Sequence, residues 1–585
     1  MTLTQSVLIL YGTQTGTSQE VGERLSRQLQ RNNIPNRVLS IDQYDKTQLI
    51  RESCCLFIVA TTGQGEIPYS MKEFWKFLLR KGLPQDILAQ LKFSVFGLGD
   101  SSYEFFNVVG KKLYKRVLQL GASPIFPFGS GDDQHYLGYD GGLKSWSEGV
   151  LEVLKDIYPS DKAPLQTEVC LEPSWKLNPI ANESLSDTQN HMIMDDNPGW
   201  ISMKVIKNSR ITPNDHFQES RDLVLEFNDP TTKILPGDIA SFYPQNLPDL
   251  VNKFIELNGY EDIADQLYDI TPASQDTFVP VYLRSPKTLR QLLTNYIDFN
   301  SIPKYTFFEF IYHFTDDEML KEKILEWLTP EGMDDRLAYT LRVKRTIPEV
   351  LTDFRMKIPL NYLLDTLPSI KPRSFSIANY SGAQPNQLQL AIGVIHYKTK
   401  MSTIRTGVCT QWVSKSLGVD DELYVRLMQG SLKPPSDPNT PVIMISPGLG
   451  VAPFRGLIQY RVQQNATSNY LYFGSRHPDK DQYYKEEFSQ LETEGKLVYR
   501  TGFSRYQDQK VYVQHLLEKD TQLIQELVIE KGGNIYLCGS SNNMPKQVEA
   551  ALVKIFDSYE KEELNGKLYF AQLKKEKRFW LESWS

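Results

Sequence analysis

Cysteine is scarce in this chain, and its spacing removes several kinds of site. The 585 residues include five cysteines: Cys54, Cys55, Cys170, Cys409 and Cys538. That number is too small for a disulfide framework in a chain of this length. The cysteines form no CxxC pair, which argues against a zinc or iron–sulfur site, so we expect no bound metal.

Long apolar runs and an excess of basic charge are also lacking. The longest apolar stretches, such as the one around Val442 to Ile445, have the length of a strand and fall far short of a membrane span. The N-terminal segment carries no cationic leader or cleavage pattern, so we expect a cytoplasmic protein without a membrane anchor. A formal net charge of −7 argues against a nucleic-acid partner.

The length of the chain is sufficient for three or four domains. Residues 1–158 alternate short apolar runs with helical segments, as in a doubly wound parallel sheet. Residues 159–198 are polar and rich in proline, which predicts a linker. Turn-rich strands follow in residues 199–435, interrupted by a helical insert at about 248–355. Residues 436–585 again alternate strands with helices.

A hydroxyl-rich loop follows the first predicted strand. In YGTQTGTSQE, the residues that offer hydroxyls or closely spaced backbone N–H groups are Thr13, Gln14, Thr15, Gly16 and Thr17. The helix that follows adds its positive end, so this loop can hold a phosphate without Lys or Arg. No GK[ST] follows, which excludes a nucleotide-triphosphate P-loop. Taken alone, the loop is equally compatible with a Ser/Thr-rich capped turn.

Three further loops follow later strands of the same predicted sheet. They are ATTGQGE (60–66), FGLGDSSYEFFNVVGKKL (96–113) and GSGDDQHY (129–136). Ligands of open parallel sheets bind beyond the carboxyl ends of the strands, so these loops are expected to meet at one place. Glycines there allow close approach of the backbone, and Tyr103 supplies an aromatic face. Together the loops predict a site for a flat, phosphorylated ligand.

These four loops resemble the FMN-binding, flavodoxin-like domain of the diflavin reductases. The resemblance implies that residues 13–17 hold the FMN phosphate, Tyr103 stacks on the ring, Asp132 lies near its polar edge and Gly63 offers its carbonyl to N5. It also implies FMN contacts for Thr61, Thr62, Gly65, Leu98, Gly99, Phe106 and Asn107. Many family members carry an aromatic residue in place of Thr62, so one flavin face is expected to be less covered here.

Two runs in the second half are similar to the FAD motifs of the same family. In KPRSFSIAN (371–379), Arg373 can pair with a pyrophosphate, Phe375 can lie along a ring and Ser376 can hydrogen-bond at the flavin, although a plain strand shows the same residues. GVCTQW (407–412) follows in the family's order and implies a pyrophosphate capped by backbone at a helix start. The resemblance implies FAD contacts for Arg373, Ser374, Phe375, Ser376, Gly407, Val408, Cys409 and Thr410.

A glycine loop and a basic run predict the nucleotide site. ISPGLGVAPFRG (445–456) is similar to a Rossmann fingerprint at Gly448 and Gly450, with Pro453 at the third glycine position, a form typical of ferredoxin-reductase-like NADP domains. FSRYQDQKVYVQHLL (503–517) closely resembles the family's adenosine-phosphate site, in which basic and hydroxyl groups can surround a 2′-phosphate and an aromatic ring can flank the adenine. The residues are Ser504, Arg505, Lys510, Tyr512 and Gln514. A lone Ser-Arg pair is usually a solvated turn, but its spacing from the glycine loop argues against that interpretation.

The last two motifs carry residues to which the resemblance assigns roles in hydride transfer. Cys538 occupies a position near the nicotinamide, and it is also compatible with a buried core thiol. Glu582 stands where the family has an Asp that assists the transfer. Trp584 is expected to stack on the FAD ring until the nicotinamide displaces it. With Ser376, these three form the predicted catalytic set.

Acidic residues cluster in sequence around the predicted FMN loops. They are Glu66, Asp100, Glu104, Asp132, Asp133 and Asp140. One interpretation is electrostatic steering of an acceptor that carries a basic patch. The other is a merely solvated acidic rim.

The resemblance covers nearly the whole chain, apart from the linker and parts of the insert. It implies a multidomain α/β protein with a flavodoxin-like domain, an FAD-binding β-barrel with a helical insert and a ferredoxin-reductase-like NADP-binding domain. It further implies an NADPH-dependent diflavin oxidoreductase that passes electrons through FAD and FMN to a protein acceptor. The short cytosolic members reduce an anamorsin-type iron–sulfur protein in cytosolic iron–sulfur cluster assembly. Sulfite reductase, a haem protein, or a redox-inactive scaffold remain as alternatives.

Overall fold

The computed structural model describes residues 5–181, 199–229, 231–274, 277–541, 543–561 and 563–584, with Trp584 described by its backbone alone. The chain divides into two compact units. The first comprises residues 1–189, 248–371 and 399–401. The second comprises residues 190–247, 372–398 and 402–585.

The first unit begins with a parallel sheet. Its strands are β1 (Val7–Gly12), β2 (Asn36–Ser40), β3 (Cys54–Ala60), β4 (Lys92–Gly99), β5 (Ser123–Pro124) and β6 (Gly129–Asp132). They lie in the order β2-β1-β3-β4-β5, with β6 also paired to β4, and every pair is parallel. The central strands are apolar throughout because helices cover both faces of the sheet.

Four helices cover this sheet: α1 (Thr17–Arg31), α2 (Lys72–Leu78), α3 (Val108–Gln119) and α4 (Asp140–Ile157). Side chains of α1 and α4 share one buried cluster with the sheet, and side chains of α2 and α3 share another. In α1 the buried Val21, Leu25 and Leu29 recur every four residues, which places them on one face. The predicted doubly wound sheet is confirmed.

Strands of the middle of the chain belong to three further sheets. In chain order they are β7 (Trp175–Ile180), β8 (Trp200–Arg210), β9 (Ser220–Glu226), β10 (Ile239–Phe242), β11 (Leu267–Pro272), β12 (Lys287–Thr288), β13 (Arg373–Ser376), β14 (Gln387–Gly393), β15 (His396–Lys398), β16 (Ile404–Thr406) and β17 (Glu422–Met428). Six of them form an antiparallel sheet in the second unit, in the order β13-β10-β17-β8-β9-β14. A bridge between Ile377 and Leu390 joins the ends of this order, so the sheet is a nearly closed barrel, as predicted.

The helical insert belongs to the first unit. Its helices are Pro248–Asn258, Leu289–Asn295, Tyr305–Ile311, Glu318–Leu328, Met333–Tyr339, Ile347–Phe354 and Leu363–Thr366. They bury a core of their own that includes Phe254 and Phe308. The helices continue to Thr366, beyond the predicted end near residue 355.

Part of the predicted linker is a strand. Strand β7 pairs with β11, which also pairs with β12, in a small antiparallel sheet. Trp175 and Leu177 on β7 pack against the core of the insert. The sequence pattern did not reveal this strand because its partner is distant: Asn178 hydrogen-bonds to Thr271, 93 residues away.

The C-terminal part of the second unit is another parallel sheet. Its strands are β18 (Val442–Pro447), β19 (Asn469–Ser475), β20 (Val498–Phe503), β21 (Asn534–Ser540) and β22 (Phe579–Trp584), in the order β20-β19-β18-β21-β22. Its α-helices are Val451–Gln463, Lys485–Thr493, Val513–Lys519, Thr521–Gln525, Met544–Asp557 and Gly566–Lys575. The predicted alternation of strands and helices is confirmed.

Among the residues that the structure describes, no helix combines the length and apolar character needed to cross a membrane. The domain boundaries expected near residues 158, 198 and 435 stay predictions.

Candidate functional site

The four predicted FMN loops lie along one edge of the first sheet. Strands β1, β3, β4 and β6 are neighbours and run in the same direction, so their carboxyl ends share that edge. The pairing of Gly99 with Asp132 brings the third and fourth loops side by side. The topology therefore gathers loops that the sequence separates by more than a hundred residues.

The first loop ends in an open helix terminus. Gly16 has a φ of 96°, and its N–H donates a 2.9 Å hydrogen bond to Oγ1 of Thr13. Gly16 is also the N-cap of α1, and no described side chain caps that helix. Oε1 of Gln14 accepts from the Tyr69 N–H at 3.4 Å, and Thr15 is exposed. The first N–H groups of α1, which begins at Thr17, can therefore receive an anion.

The second loop is a tight turn. The hydroxyl of Thr62 donates to the Glu66 carbonyl at 3.0 Å, so this side chain helps to close the turn. Gly63 and Gly65 have φ values of 47° and 90°, in the left-handed region that glycine adopts readily. Oγ1 of Thr61 accepts from the Val109 N–H at 3.3 Å, which ties the turn to α3.

The buried side chain of Asn107 packs beneath the third loop and holds it to the fourth. Asn107 is fully buried, and its Nδ2 donates to Oγ of Ser130 at 2.5 Å. A Cβ on Gly99 would lie 2.6 Å from Oδ1 of Asn107, so only glycine fits beside it. Leu98 is also buried, whereas Tyr103 and Phe106 are half-buried. Of these predicted FMN residues, the two aromatic rings remain accessible from solvent.

Asp132 links two of the loops. Its Oδ1 accepts from the Ser101 N–H at 2.9 Å and from the Gln134 N–H at 3.0 Å. Burial raises the pKa of this carboxyl, but the hydrogen bonds from Ser101 and Gln134 outweigh it and lower the pKa below its usual value. Asp132 is therefore anionic at neutral pH and fixes the ends of the two loops.

One member of the predicted acidic cluster is not on the surface. Asp140 is 6% exposed and accepts from Nη1 of Arg24 at 2.6 Å and from Nη2 of Arg336 at 3.0 Å. The carboxylate is buried and paired with two arginines of the first unit, so the assignment of Asp140 to an acceptor surface is wrong. This burial could not be predicted from the sequence, because both arginines lie far from Asp140 along the chain.

Both predicted FAD motifs contact Phe242 of β10. Phe375 stacks on Phe242 with ring centroids 5.4 Å apart, and Trp412 approaches it at 6.2 Å. Arg373 and Ser374 on the same strand are exposed, and the Ser374 hydroxyl donates to Oγ of Ser241 at 3.3 Å. The barrel thus brings the two motifs to one place.

In the second motif, Cys409 and Thr410 are engaged within the barrel. Gly407 is the N-cap of the helix Val408–Lys415, and no described side chain caps this helix. Burial raises the pKa of Cys409 to about 12, so its thiol is a neutral part of the barrel core. Oγ1 of Thr410 accepts from the Ile395 N–H at 3.0 Å. The first N–H groups of the helix remain for an anion.

The glycine loop after β18 leads into a third helix that has a glycine N-cap and no described side-chain cap. Gly448 has a φ of 57°, and no described atom lies within 4 Å of where its Cβ would be. A Cβ on Gly450 would lie 2.2 Å from the Cys538 carbonyl oxygen, so glycine is required where this turn passes β21. Gly450 is the N-cap of the helix Val451–Gln463, with no side-chain cap among the described residues.

The predicted 2′-phosphate residues follow β20, two strands or roughly 10 Å from β18 along the same edge. The backbone N–H groups of Ser504 and Arg505 donate to the carbonyls of Ser475 and Arg476 at the end of β19, both at 3.0 Å. The side chains of Arg505 and Lys510 are exposed. Tyr512 is 40% exposed, and Nε2 of Gln514 donates to Oε1 of Gln547 at 3.3 Å.

The predicted catalytic residues surround strand β22. The Ser376 hydroxyl donates to Oε1 of Glu582 at 2.6 Å, and Glu582 pairs with Cys538 across β21 and β22. The Cys538 thiol is fully buried; burial, with the nearby Glu582 charge, raises its pKa far above the usual value. Any contact of this thiol with a nucleotide therefore requires its neighbours to move. Trp584 pairs with Ser540, and its side chain lies outside the described residues.

One functional candidate was missed at the level of sequence. Nζ of Lys371 donates to Oε1 of Gln19 in the first turn of α1 at 2.5 Å, although the two residues are 352 positions apart. The lysine therefore lies beside the first loop. Its position at the head of the FAD motif gave no signal of this contact.

The residues present fit three phosphorylated cofactors. Each of three helices has a glycine as its N-cap, lacks a described side-chain cap and follows or forms part of a predicted phosphate-binding loop. A helix N-terminus offers backbone N–H groups and the positive end of the helix dipole, which is what a phosphate requires. Before the third helix stands a 3₁₀ turn, Gly448–Gly450, and the Val451 N–H donates to the Gly448 carbonyl, so the N–H groups of that turn take the place of the first helical ones.

The comparisons with known proteins agree with this arrangement. Three family models match in order: "Flavodoxin" over residues 9–146, "FAD binding domain" over 196–412 and "Oxidoreductase NAD-binding domain" over 444–550. The chain is similar to proteins named NADPH-dependent diflavin oxidoreductase 1. That of Danio rerio is 37% identical, covering 99% of each chain. That of Xenopus laevis is 36% identical, covering 99% of this chain and 100% of the relative, and that of Schizosaccharomyces pombe is 34% identical, covering 99% of each.

The three matched domains, together with the named relatives, show that the cofactors are FMN, FAD and NADPH. The similarity spans nearly the full length of both chains, and the loops and helix termini described above lie within the matched domains. This chain belongs to the NADPH-dependent diflavin oxidoreductases, enzymes that transfer electrons from NADPH to a protein acceptor.

Proposed function

We propose that this enzyme delivers its electrons to an anamorsin-type iron–sulfur protein during cytosolic iron–sulfur cluster assembly, and that it works in the cytoplasm. The proposed class of acceptor is supported by the composition of the surface around the FMN loops. Glu66, Glu104 and Asp133 are exposed there, beside Phe105 (45% exposed) and Tyr136 (69% exposed). Acidic side chains interleaved with aromatic rings suit a protein partner with a basic, partly apolar segment.

The three open helix termini are assigned to the three cofactors within this proposal. The terminus at Gly16 holds the FMN phosphate, the one at Gly407 holds the FAD pyrophosphate and the one at Gly450 holds the NADPH pyrophosphate. Arg505 and Lys510 select NADPH by pairing with its 2′-phosphate. The bound flavins supply the redox chemistry, hydride acceptance and single-electron release.

The Ser376–Glu582 pair orients the reacting groups. The carboxylate of Glu582 accepts a short hydrogen bond from the Ser376 hydroxyl and thereby fixes the rotamer of Ser376. Ser376 lies on the same strand as Phe375 and Arg373, the proposed ring and pyrophosphate contacts for FAD. The fixed hydroxyl is therefore held close to where the isoalloxazine edge is proposed to lie.

The purified full chain tests the proposal. We expect about one FAD and one FMN per chain, reduction of both by NADPH, and reduction of an anamorsin-type protein followed by the absorbance of its clusters. Gly16→Asp should lose FMN, keep FAD and fail to reduce the protein acceptor, because a carboxylate at this position repels the phosphate. Gly82→Asp is the matched control, since Gly82 has a similar φ of 86° in an exposed turn.

Three outcomes would contradict parts of the proposal. A chain that binds no flavin would support a redox-inactive scaffold. Faster reduction of a sulfite reductase or a haem protein than of the iron–sulfur protein would assign the enzyme to another acceptor. Recovery of the enzyme outside the cytosolic fraction of its source cells would contradict the proposed location.

A further inference from the structure

We propose that Lys371 is an additional ligand of the FMN phosphate, contributed from outside the flavodoxin-like segment. The phosphate loop from Tyr11 to Glu20 contains no Lys or Arg. A dianionic phosphate held there has only backbone N–H groups, hydroxyls and the helix dipole from its own segment. Lys371 places a cation beside that loop. The proposal rests on the assignment of FMN phosphate to this loop.

The side chain of Lys371 lies along Gly16. Its Cε is 3.1 Å, its Cγ 3.7 Å and its Cδ 4.0 Å from the position that a Cβ on Gly16 would occupy. Its Nζ donates to Oε1 of Gln19 in the first turn of α1 at 2.5 Å and to Oγ of Ser369 at 2.8 Å. The ammonium group therefore lies beside the first turn of the helix whose N-terminus is the proposed phosphate site.

The charge of Lys371 is opposite to the one that this helix end favours. A helix N-terminus carries a partial positive charge, so a cation beside it is unfavourable unless an anion lies close to both. A phosphate at the N–H groups of α1 provides that anion. It also explains why the loop itself manages without a basic residue.

Glu23 is a second anion that could serve as the counterion of Lys371. Oε1 of Glu23 accepts from Nε2 of Gln19 at 2.7 Å. Burial raises the pKa of Glu23, and the charges of Arg27 and Lys371 act against that rise. If Lys371 served only as a counterion for Glu23, its loss would not discriminate between flavins with and without a phosphate. This difference sets the design of the test.

The insert holds Lys371 in place. The N–H of Ile370 donates to the Tyr296 carbonyl at 2.5 Å, and Ser369 forms a β-bridge with Ile297. The cation reaches the phosphate loop because α1 packs on the same insert, where Nε of Arg27 donates to Glu309 at 2.9 Å. FMN affinity is therefore coupled to the packing of α1 on the insert, and by linkage bound FMN strengthens that packing.

The test titrates the FMN-depleted full chain with FMN and with riboflavin, which lacks the phosphate, and follows flavin fluorescence. Lys371→Met keeps the length of the stem and removes the charge. We expect it to weaken FMN binding by about ten- to a hundredfold, the effect of one charge-assisted hydrogen bond, and to leave riboflavin binding unchanged. Lys371→Arg should bind FMN within a few-fold of the wild type. Lys253→Met, at an exposed lysine of the insert, is the control and should change neither affinity.

The coupling has its own measurement. Arg27→Gln removes the contact with Glu309 and should weaken FMN binding much less in the Lys371→Met background than in the wild type. Equal effects of Arg27→Gln in both backgrounds would overturn the coupling. FAD content, measured in every variant, reports whether the rest of the chain is folded.

The variants test the phosphate-loop assignment and the role of Lys371 separately. If Gly16→Asp retained FMN, the assignment of the phosphate loop would fail. If Gly16→Asp lost FMN but Lys371→Met bound it as tightly as the wild type, the role of Lys371 would be overturned. Equal weakening of FMN and riboflavin by Lys371→Met would also overturn it, because the lysine would then support the fold of the loop and not the phosphate.

Discussion

Ser376 and Glu582 are 206 residues apart in sequence, and a 2.6 Å hydrogen bond joins the hydroxyl of the first to the carboxylate of the second. Ser376 belongs to the barrel strand β13, and Glu582 belongs to β22, the last strand of the C-terminal sheet. A hydrogen bond to an ionised acceptor is about twice as strong as a neutral one. The pair therefore fixes a hydroxyl at the proposed meeting point of FAD and nicotinamide.

The first prediction concerns this pair. Glu582→Gln should slow the reduction of FAD by NADPH about ten- to a hundredfold, because the oriented hydroxyl loses a charge-assisted hydrogen bond of roughly 1.5–3 kcal/mol. Ser376→Ala should have a similar effect, and the double variant should be little slower than the slower single variant, since both remove one interaction. Stopped-flow absorbance of the flavin measures these rates.

A matched control lies on the same strand. Ser583 follows Glu582, and successive side chains of a strand point to opposite faces, so Ser583→Ala should leave the rate unchanged. Additive effects of Glu582→Gln and Ser376→Ala would show that the two residues act independently.

The second prediction concerns the choice of nucleotide. Arg505 and Lys510 are exposed after β20 and carry the positive charge of the proposed 2′-phosphate site. Replacing both with Ala should lower kcat/KM for NADPH on the order of a hundredfold or more and leave the value for NADH nearly unchanged, since NADH has no 2′-phosphate. Lys519→Ala, at an exposed lysine that ends the next helix, is the control. An equal loss with both nucleotides would mean that Arg505 and Lys510 only maintain the fold.

The third prediction concerns the buried carboxylate of Asp140. It lies between Arg24 and Arg336, and both guanidinium groups also approach the Tyr305 ring, at 3.5 and 5.1 Å from its centroid. Burial lowers the pKa of Arg24, but the charge of Asp140 outweighs it and raises that pKa overall. Asp140→Asn would leave two arginines without their shared counterion. It should destabilise the first unit by about 3–5 kcal/mol, measured by calorimetry.

The contrast for Asp140 is an exposed ion pair. Glu73 and Lys76 on α2 form a 2.6 Å pair in which both side chains are largely exposed. Glu73→Gln should leave the unfolding transition nearly unchanged, because solvent screens such pairs. An Asp140→Asn variant as stable as Glu73→Gln would refute the central position of Asp140.

The fourth prediction concerns the acidic surface around the FMN loops. Reduction of a basic one-electron protein acceptor should slow steeply as ionic strength rises, because salt shortens the range of the field to about 8 Å at physiological concentration. Glu66→Gln combined with Glu104→Gln should slow the reaction at low salt and flatten its salt dependence. Glu148→Gln, an exposed site on α4, serves as the control. A rate that does not change between low and moderate salt would leave the acidic residues as a solvated rim.

The order of the domains and the loops of the candidate site could be predicted from the amino-acid sequence. Each signal was local: apolar runs predicted β1, β3 and β4, and glycine with hydroxyl-bearing residues predicted the loop at Gly16. Parallel strands place their carboxyl ends at one edge, so the gathering of the loops followed without knowledge of the packing. The assignment of Arg505 and Lys510 to a 2′-phosphate site came from the resemblance of their loop to a family motif.

The contacts between distant residues could not be predicted and are seen in the folded chain. Lys371 lies beside Gly16, Asp140 is buried between two arginines, Glu582 accepts from Ser376, and β7, within the predicted linker, pairs with β11. Each of these contacts joins residues far apart in the chain, and their positions carry no periodic pattern that marks a partner. The partner of a charged or polar side chain is set by the packing of whole helices and sheets, which local sequence does not encode.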